Sequence, residues 1–250
     1  MKNPLYLRPP VFKDFPELLA AESTRHGGVS PRPYHSLNVG IFTDDDPENI
    51  RKNREILFHS LGISGEKVAS SHQVHGDRIL TAEKAGWYEG YDALITSRPG
   101  LYLSVTIADC TPILVYDPGH RAVAAIHAGW RGTADKIVQK TLLAMQQTFH
   151  TKGGDCIAYV GTCIDECSYE VGAEVAGHFE TAFTRFDRER DKYFLDLKAA
   201  NAAQLRAAGI PANRIGISAY STVLDNRDYF SHRNEKGQTG RMLALIGLRP

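Results

Sequence analysis

Reactive side chains stand in three short segments that interrupt or end apolar runs. The segments are SHQVHG at 71–76, ADCTP at 108–112 and IHAGWRG at 126–132. Cys110 ends one apolar run and His127 ends a neighbouring one, so a hairpin-like arrangement would bring the two side chains together. A thiolate and imidazoles are ligands that suit zinc, and three protein ligands leave a fourth position open for chemistry. These residue types therefore indicate a catalytic zinc site.

The third ligand has to be chosen from two histidines, His72 and His75, which are three residues apart. On a strand the two would point to opposite faces, and only on a helix would both reach one metal. Val74 followed by Gly76 indicates a strand and then a turn, so we predict that His75 alone is the ligand.

Spacing by itself leaves other interpretations open, because no close pair such as Cys-x-x-Cys anchors the site. Each histidine could be a hydrogen-bonded packing residue. Cys110 could instead be the nucleophile of a metal-free hydrolase, with His127 as its base. Asp109, the carboxylate nearest to Cys110, is a candidate proton shuttle or a group that orients a ligand.

Composition excludes several classes of partner. The 250 residues contain 29 Lys plus Arg and 29 Asp plus Glu, so no global field favours nucleic acid or an anionic membrane. No apolar run approaches the roughly 20 residues that span a bilayer, and the start MKNPLYLRPP lacks the apolar core of a secretory signal. We therefore expect a cytoplasmic protein. Its other cysteines, Cys156, Cys163 and Cys167, are expected to be free or packed thiols.

The elements that must position these residues are a mixture of helices and strands. Asp46 before Pro47 predicts a helix start, and three β-rich runs within 101–127 predict adjacent strands of one buried sheet. Further helices are predicted at 134–149, capped by Thr133, and at 173–184 and 196–208; further strands are predicted at 156–161 and 214–219. Without a strict βαβ rhythm, this mixture indicates an α+β fold with a mixed sheet.

Three polar, glycine-punctuated segments are candidate binding loops. GWRGT at 129–133 runs into a predicted helix, whose N-terminus and Arg131 would suit phosphate. The segments at 24–40 and 231–241 are rich in residues with special backbone preferences and could close the same pocket. A tight turn with a capping threonine, or solvated turns, would explain the same patterns.

Together these motifs resemble the laccase-domain family, long labelled multicopper polyphenol oxidases and now regarded as purine nucleoside phosphorylases. The resemblance covers nearly the whole chain, through RHGGVS at 25–30, SLN at 36–38, NR at 53–54, QVHG at 73–76, DALIT at 92–96, ADC at 108–110, HAGWRGT at 127–133, YEVG at 169–172 and TGR at 239–241. It implies one α+β domain over 1–250, with layered mixed β-sheets flanked by helices in an α/β/β/α-like order. It also implies that the zinc ligands are His75, Cys110 and His127.

The chain departs from the family pattern in two places. Thr162 stands where the family usually has proline, and Ser221 precedes Thr222 where a cysteine is common. Neither position is a proposed ligand. The departures put local loop geometry and substrate preference in doubt rather than the metal.

The resemblance implies phosphorolysis of adenosine or inosine, with methylthioadenosine cleavage and adenosine deamination credited to family members. Cys110, His127 and Asp109 would then be catalytic. Arg54, Arg131 and Arg25 would hold the phosphate, and Asn38 would contribute to substrate binding. The expected partners are a purine nucleoside and phosphate, with neither nucleic acid nor membrane, and the oligomeric state is left open.

Other functions were weighed against this one. The chain has ten histidines and no His-x-His pair, which disfavours copper and polyphenol oxidation. Its one His-x-Glu, His178-Phe179-Glu180, is not followed by Pro-Cys-x-x-Cys, so the full motif of known zinc deaminases is absent. A non-catalytic nucleoside-binding protein would have little need for an open metal position.

Overall fold

Two six-stranded sheets dominate the structure, a computed structural model that describes residues 4–250. The strands are β1 (Tyr6–Leu7), β2 (Leu18–Ser23), β3 (Val68–His72), β4 (Ile79–Thr81), β5 (Gly86–Glu89), β6 (Ala93–Thr96), β7 (Tyr102–Ile107), β8 (Thr111–Asp117), β9 (Ala122–Ala128), β10 (Ile157–Val160), β11 (Glu170–Val171), β12 (Thr184–Asp187), β13 (Lys192–Leu195), β14 (Ile215–Ile217) and β15 (Met242–Leu248). The α-helices are α1 (Pro47–Leu61), α2 (Trp130–Ala134), α3 (Ile137–Phe149), α4 (Ala173–Ala176) and α5 (Leu197–Ala207).

The sheets are mixed. The first has the order β1-β2-β15-β7-β3-β5, and the second has the order β14-β10-β8-β9-β6-β4. A small third sheet has three strands, in the order β11-β13-β12. Every residue of β8, β9 and β15 is buried, as expected for strands covered on both faces.

The order of sheets and helices in the fold follows from which faces of the two sheets are apolar. One core cluster joins the two sheets and contains Leu103 and Leu114 from opposite sheets. A second cluster packs α3 and α5 on the outer face of the second sheet, and a third packs α1 on the outer face of the first. The described residues therefore form one α+β domain with the α/β/β/α order of layers, which confirms the predicted fold class.

The first helix begins where it was predicted to begin. The side chain of Asp46 accepts a hydrogen bond from the backbone N–H of Glu48, and Pro47 is at the first position of the helix. Gly62 ends it in the left-handed conformation, at φ 74°. Helix α5 likewise confirms the prediction at 196–208, with Asp196 as its cap. Strands β10 and β14 confirm the predictions at 156–161 and 214–219.

The prediction of three adjacent strands within 101–127 was wrong in one respect. β8 and β9 do pair in antiparallel register, but β7 belongs to the other sheet. The chain crosses from one sheet to the other at the bend 108–110, where Asp109 has a φ of 86°. Alternation of apolar residues indicates strands but does not indicate which sheet they join.

Two helix predictions also need correction. The helix predicted at 134–149 begins at Ile137, because Lys136 has a left-handed φ of 61° that separates α2 from α3. Thr133 lies inside α2 rather than capping α3. The helix predicted at 173–184 ends at Ala176 and is followed by the strand β12. Gly177 follows directly, and a glycine weakens helix continuation.

All four cysteines are free thiols, as predicted. Within residues 4–250, every helix is too short or too polar to cross a lipid bilayer.

Candidate active site

Three side chains from different elements meet between the two sheets. His75 stands in the turn after β3, Cys110 in the bend between β7 and β8, and His127 on β9. One ligand atom from each lies within 4.8 Å of the others, and Cys110 Sγ is 3.9 Å from His75 Nδ1. The structure therefore brings together the trio that the sequence indicated. His72 lies apart from it, because its Nδ1 is 3.0 Å from Glu89 Oε2.

A buried carboxylate that sequence reasoning missed positions two members of this trio. Asp92, which is 0% exposed, lies 2.8 Å from His127 Nδ1. Its two oxygens also accept backbone hydrogen bonds from Val74, His75 and Gly76 at 3.1, 3.0 and 2.8 Å. The carboxylate thus orients the imidazole so that Nε2 is left for a ligand, and it also fixes the turn that carries His75.

The sequence does carry a signal for Asp92. It directly precedes the apolar strand β6, where an aspartate at the edge of a buried sheet needs a partner. The motif DALIT was noted as part of the resemblance, without a role for its first residue. A buried carboxylate requires hydrogen-bond donors, but the sequence alone does not show where the donors of Asp92 lie.

Unusual backbone conformations also occur at this site. His75 has a φ of 59° and Asp109 one of 86°, both in the left-handed region that non-glycine residues seldom adopt. Such conformations cluster at functional sites, where surrounding contacts hold them. For His75 those contacts are the hydrogen bonds to Asp92.

Gly129 allows the three side chains to approach one another. A Cβ at this position would be 2.9 Å from His75 Nδ1 and 3.0 Å from Cys110 Sγ. Contacts this short do not occur around real side chains, so any other residue would displace the ligands. The glycine of the motif HAGWRGT is therefore part of the site.

Charge at the trio is coupled. Burial opposes ionisation of the Cys110 thiol, but the neighbouring His127 and His75 outweigh it and lower its pKa to about 6. Burial also opposes protonation of His127, yet Cys110 and Asp92 outweigh that effect and raise its pKa to about 9. The thiolate is the form that binds metals and attacks electrophiles, so the site favours either chemistry.

The trio opens onto a cavity of about 500 Å³. Four arginines line it: Arg54, Arg131, Arg233 and Arg241. None of them forms an ion pair with a carboxylate anywhere in residues 4–250. Burial lowers the pKa of Arg54 to about 10, which still leaves it charged at neutral pH. Unpaired guanidinium groups in a cavity favour an anionic ligand.

Two of the arginines had been predicted and two had not. Arg54 and Arg131 line the cavity as expected, whereas Arg233 and Arg241 were noted only as parts of a polar segment. The helix N-terminus expected to support an anion at 129–133 belongs to α2, which has only five residues. Arg131 is therefore the stronger part of that prediction.

Arg25 and Asn38, predicted as substrate-binding residues, are not among the residues that line the cavity. The guanidinium of Arg25 pairs with Glu235 at 3.0 Å, and it also donates to backbone carbonyl groups. Asn38, which is 0% exposed, donates to Asp45 and accepts from the backbone N–H of Arg241, both at 2.9 Å. Both residues hold loops in place rather than face a ligand.

Asp109 lines the cavity, with both of its carboxylate oxygens engaged. The hydroxyl of Thr222 donates to one at 2.5 Å, and the backbone N–H of Arg233 donates to the other at 2.6 Å. The carboxylate therefore ties two C-terminal loops to the bend that carries Cys110. This arrangement favours the orienting role over that of a mobile proton shuttle.

Comparison with known proteins gives concordant results. The family model described as multi-copper polyphenol oxidoreductase laccase matches residues 19–249. A purine nucleoside phosphorylase of Deinococcus radiodurans is 39% identical over 230 residues, which cover 91% of this chain and 88% of that protein. One of Bacteroides thetaiotaomicron is 37% identical over 240 residues, covering 90% and 89%. The crystal structure of YlmD from Geobacillus stearothermophilus has a TM-score of 0.93 and 33% identity, covering 100% of this chain and 98% of that one.

Proposed function

The chain belongs to the family described as multi-copper polyphenol oxidoreductase laccase, and from that premise we propose that it is a zinc-dependent purine nucleoside phosphorylase. Relatives named purine nucleoside phosphorylase, similar over about nine-tenths of their length, support the reaction class. One observation carries the proposal. A single cavity combines a His-Cys-His trio with four arginines, none of which forms an ion pair with a carboxylate of residues 4–250.

The residues present fit a zinc ion. The donor set is one thiol and two imidazoles, and the carboxylate of Asp92 orients His127 as carboxylates orient the histidine ligands of zinc. His75, Cys110 and His127 would hold the ion. When bound, it would supply Lewis acidity and lower the pKa of a bound water. In residues 4–250 this is the one group of three such ligands, which disfavours a multicopper centre.

Phosphorolysis divides the work among the chain's own residues. An oxygen of phosphate forms a bond to C1′ of ribose while the bond from C1′ to the purine breaks, and the base leaves with the electron pair and takes up a proton. Arg54 and Arg131 would hold the phosphate, with Arg233 and Arg241 adding positive charge. Holding the two reactants in line supplies much of the rate enhancement, because the entropy of bringing them together is already lost on binding.

The finer assignments are part of the same proposal. Adenosine and inosine are the leading substrates, with methylthioadenosine as a further one, because the cavity is large enough for a nucleoside and phosphate. Adenosine deamination would use a water activated at the trio. Free thiols throughout the described chain support a cytoplasmic location.

The first test measures metal and products together. Purified protein should contain about one zinc per chain, and it should convert inosine to free base and ribose 1-phosphate only when phosphate is present. Cys110→Ala should lose the metal and lower kcat/KM at least ~100-fold, since the trio loses its thiolate. Cys167→Ala is the matched control, because that exposed cysteine lies outside the cavity.

The alternatives give different outcomes. A cysteine hydrolase with Cys110 as nucleophile and His127 as its base would be metal-free and fully active in a chelator. Contact with His127, which helps to lower the pKa of the Cys110 thiol to about 6, makes this the second candidate. Oxidation of a phenol with uptake of oxygen would instead support the laccase description. Tight nucleoside binding without turnover would support a binding protein. Each of these results would overturn phosphorolysis.

A further inference from the structure

We infer that the exposed rings of Phe42, His72 and Trp87, which we term the aromatic wall, form the subsite that stacks the purine base. The inference rests on the proposed function and adds to it a location for the base within the cavity. All three rings line the same cavity as the His-Cys-His trio. None of them belongs to the metal or phosphate groups already described.

The aromatic wall consists of rings in mutual contact. The Phe42 ring lies 4.1 Å from that of His72, at 34° between planes, and 5.6 Å from that of Trp87. The separation from Trp87 lies within the range of roughly 4.5–7 Å that is favourable for aromatic pairs, and the separation from His72 is shorter still. The rings therefore present one surface built from three separate segments of the chain.

One carboxylate holds two of the rings. Glu89 Oε2 is 3.0 Å from His72 Nδ1, and Glu89 Oε1 accepts a hydrogen bond from Trp87 Nε1 at 3.0 Å. His72 and Trp87 lie on neighbouring strands, β3 and β5, which pair in parallel register. The surface is thus built on a sheet and pre-arranged before any ligand binds, which lowers the entropy lost on binding.

Two large apolar rings of the aromatic wall are exposed to solvent. Phe42 is 59% exposed and Trp87 is 39% exposed. Covering such a face with a flat, uncharged base removes apolar surface from water. Stacking of a base on an aromatic side chain contributes about 1–3 kcal/mol.

Other aromatic rings line the cavity, but their faces are occupied by guanidinium groups. Arg131 lies over the ring of Trp130 at 4.4 Å, and Arg233 lies over that of Tyr169 at 5.2 Å. These rings support the positive charge that phosphate requires. No arginine or lysine lies over a ring of the aromatic wall in the described part of the chain. The cavity is therefore divided into a cationic side and an aromatic side.

Tryptophan fluorescence can test this division directly. The chain has two tryptophans, and both line the cavity, one on each side. In Trp130→Phe the remaining fluorophore is Trp87, and in Trp87→Phe it is Trp130. Inosine is the probe, added without phosphate so that no phosphorolysis occurs. Quenching should be strong in Trp130→Phe and weak in Trp87→Phe.

Phe42→Ala should weaken inosine binding at least about fivefold, the fold-change that corresponds to ~1 kcal/mol of lost stacking. In turnover it should raise KM for inosine and leave KM for phosphate unchanged. The matched control is Phe186→Ala, because Phe186 is 45% exposed but does not line the cavity. Both positions are exposed, so both variants should fold.

Failure of this inference is distinguishable from failure of the proposed function. If inosine is cleaved but quenches only Trp130, or if Phe42→Ala leaves KM for inosine unchanged, the base binds elsewhere and the inference is overturned. If no preparation cleaves inosine with phosphate, the proposed function fails. Inosine binding at Trp87 would in that case still locate the base on the aromatic wall.

Discussion

Two fully buried carboxylates occupy different parts of this molecule and behave in opposite ways. Asp92 and Glu22 are both 0% exposed. Asp92 accepts hydrogen bonds from three backbone N–H groups and contacts His127. Glu22 accepts one from the backbone of Thr162 at 2.9 Å and one from the hydroxyl of Tyr159 at 3.0 Å. The number of donors differs, and the charge state follows it.

Burial alone would raise the pKa of Asp92, but the hydrogen bond and the positive charge of His127, with the hydrogen bonds from Gly76 and Val74, lower it. For Glu22 burial raises the pKa, and the bonds from Thr162 and Tyr159 offset only part of that effect. The surroundings of Asp92 thus favour its ionised form beside the proposed ligands. The surroundings of Glu22 disfavour ionisation of its carboxyl group. The comparison teaches that a hydrogen-bonded cationic neighbour and several backbone donors together keep Asp92 ionised, whereas two neutral donors do not offset the burial of Glu22.

Among the variants that test this comparison, the one that removes the charge of Asp92 should have the largest effect. In Asp92→Asn an NH₂ group would face backbone donors, and the orientation of His127 and of the turn at His75 would be lost together. We expect zinc affinity and kcat/KM to fall by about 10- to 100-fold, the range for groups that orient metal ligands. Zinc titration and phosphorolysis rates measure the two effects.

The pH dependence of Asp92 has a definite sign. Its pKa in the folded protein is below its ordinary value of 3.8, so its stabilising contribution is present above that value and is lost as pH falls through the folded pKa. Urea unfolding of the wild type and Asp92→Asn should therefore show a difference at pH 6 that narrows towards pH 3. A constant difference would attribute the loss to packing instead.

Two glycines allow a further test of this comparison. Gly129 lies beside the trio that Asp92 positions, and Gly161 lies beside Glu22. A Cβ on Gly129 would meet two proposed ligands, whereas a Cβ on Gly161 would lie 2.6 Å from Pro112 Cγ and 3.0 Å from Glu22 Oε2. Gly129→Ala should reduce activity roughly tenfold with a small loss of stability, since displacement of catalytic groups by a fraction of an ångström is costly. Gly161→Ala should lower Tm by several degrees while the folded fraction keeps its activity.

Gly154→Ala serves as the control for both, because a Cβ there would meet no atom within 4 Å. Tm by calorimetry and kcat/KM at saturating zinc give the two measurements for each variant. Equal activity losses in Gly129→Ala and Gly161→Ala would mean that the two regions are not functionally separate.

The difference between these regions also explains what could be predicted from the sequence. His75, Cys110 and His127 were recognisable because reactive side chains ended apolar strands and matched a family pattern. Asp92 precedes an apolar strand instead, and its role depends on backbone donors from a segment 16 or more residues earlier, which no local pattern specifies. Sequence indicates a side chain's chemistry more readily than its partners.

The same limit applies to the fold and to the phosphate residues. The family resemblance implied the layer order, and local patterns predicted the strands β7, β8, β9, β10 and β14. The change of sheet at 108–110 could not be predicted, because it depends on the left-handed backbone of Asp109. Arg25 was selected for its charge, and only its pairing with Glu235 excludes it from the cavity. Arg241 lay in a segment whose role depends on contact with Asn38, some 200 residues earlier.

The smallest expected effect, of opposite sign, is at Glu22. Its folded pKa is above its ordinary value of 4.5, so its stabilising contribution is present below that value and is lost as pH rises through the folded pKa. Glu22→Gln keeps an oxygen for the backbone N–H of Thr162 and removes the buried charge. We expect Tm to rise by about 2–4 °C at pH 7, the shift for ~1 kcal/mol in a domain of this size, and by less at pH 4. Activity should be unchanged, since Glu22 does not line the cavity. A loss of Tm at pH 7 would show that the carboxylate is ionised and stabilising there, and the contrast with Asp92 would then fail.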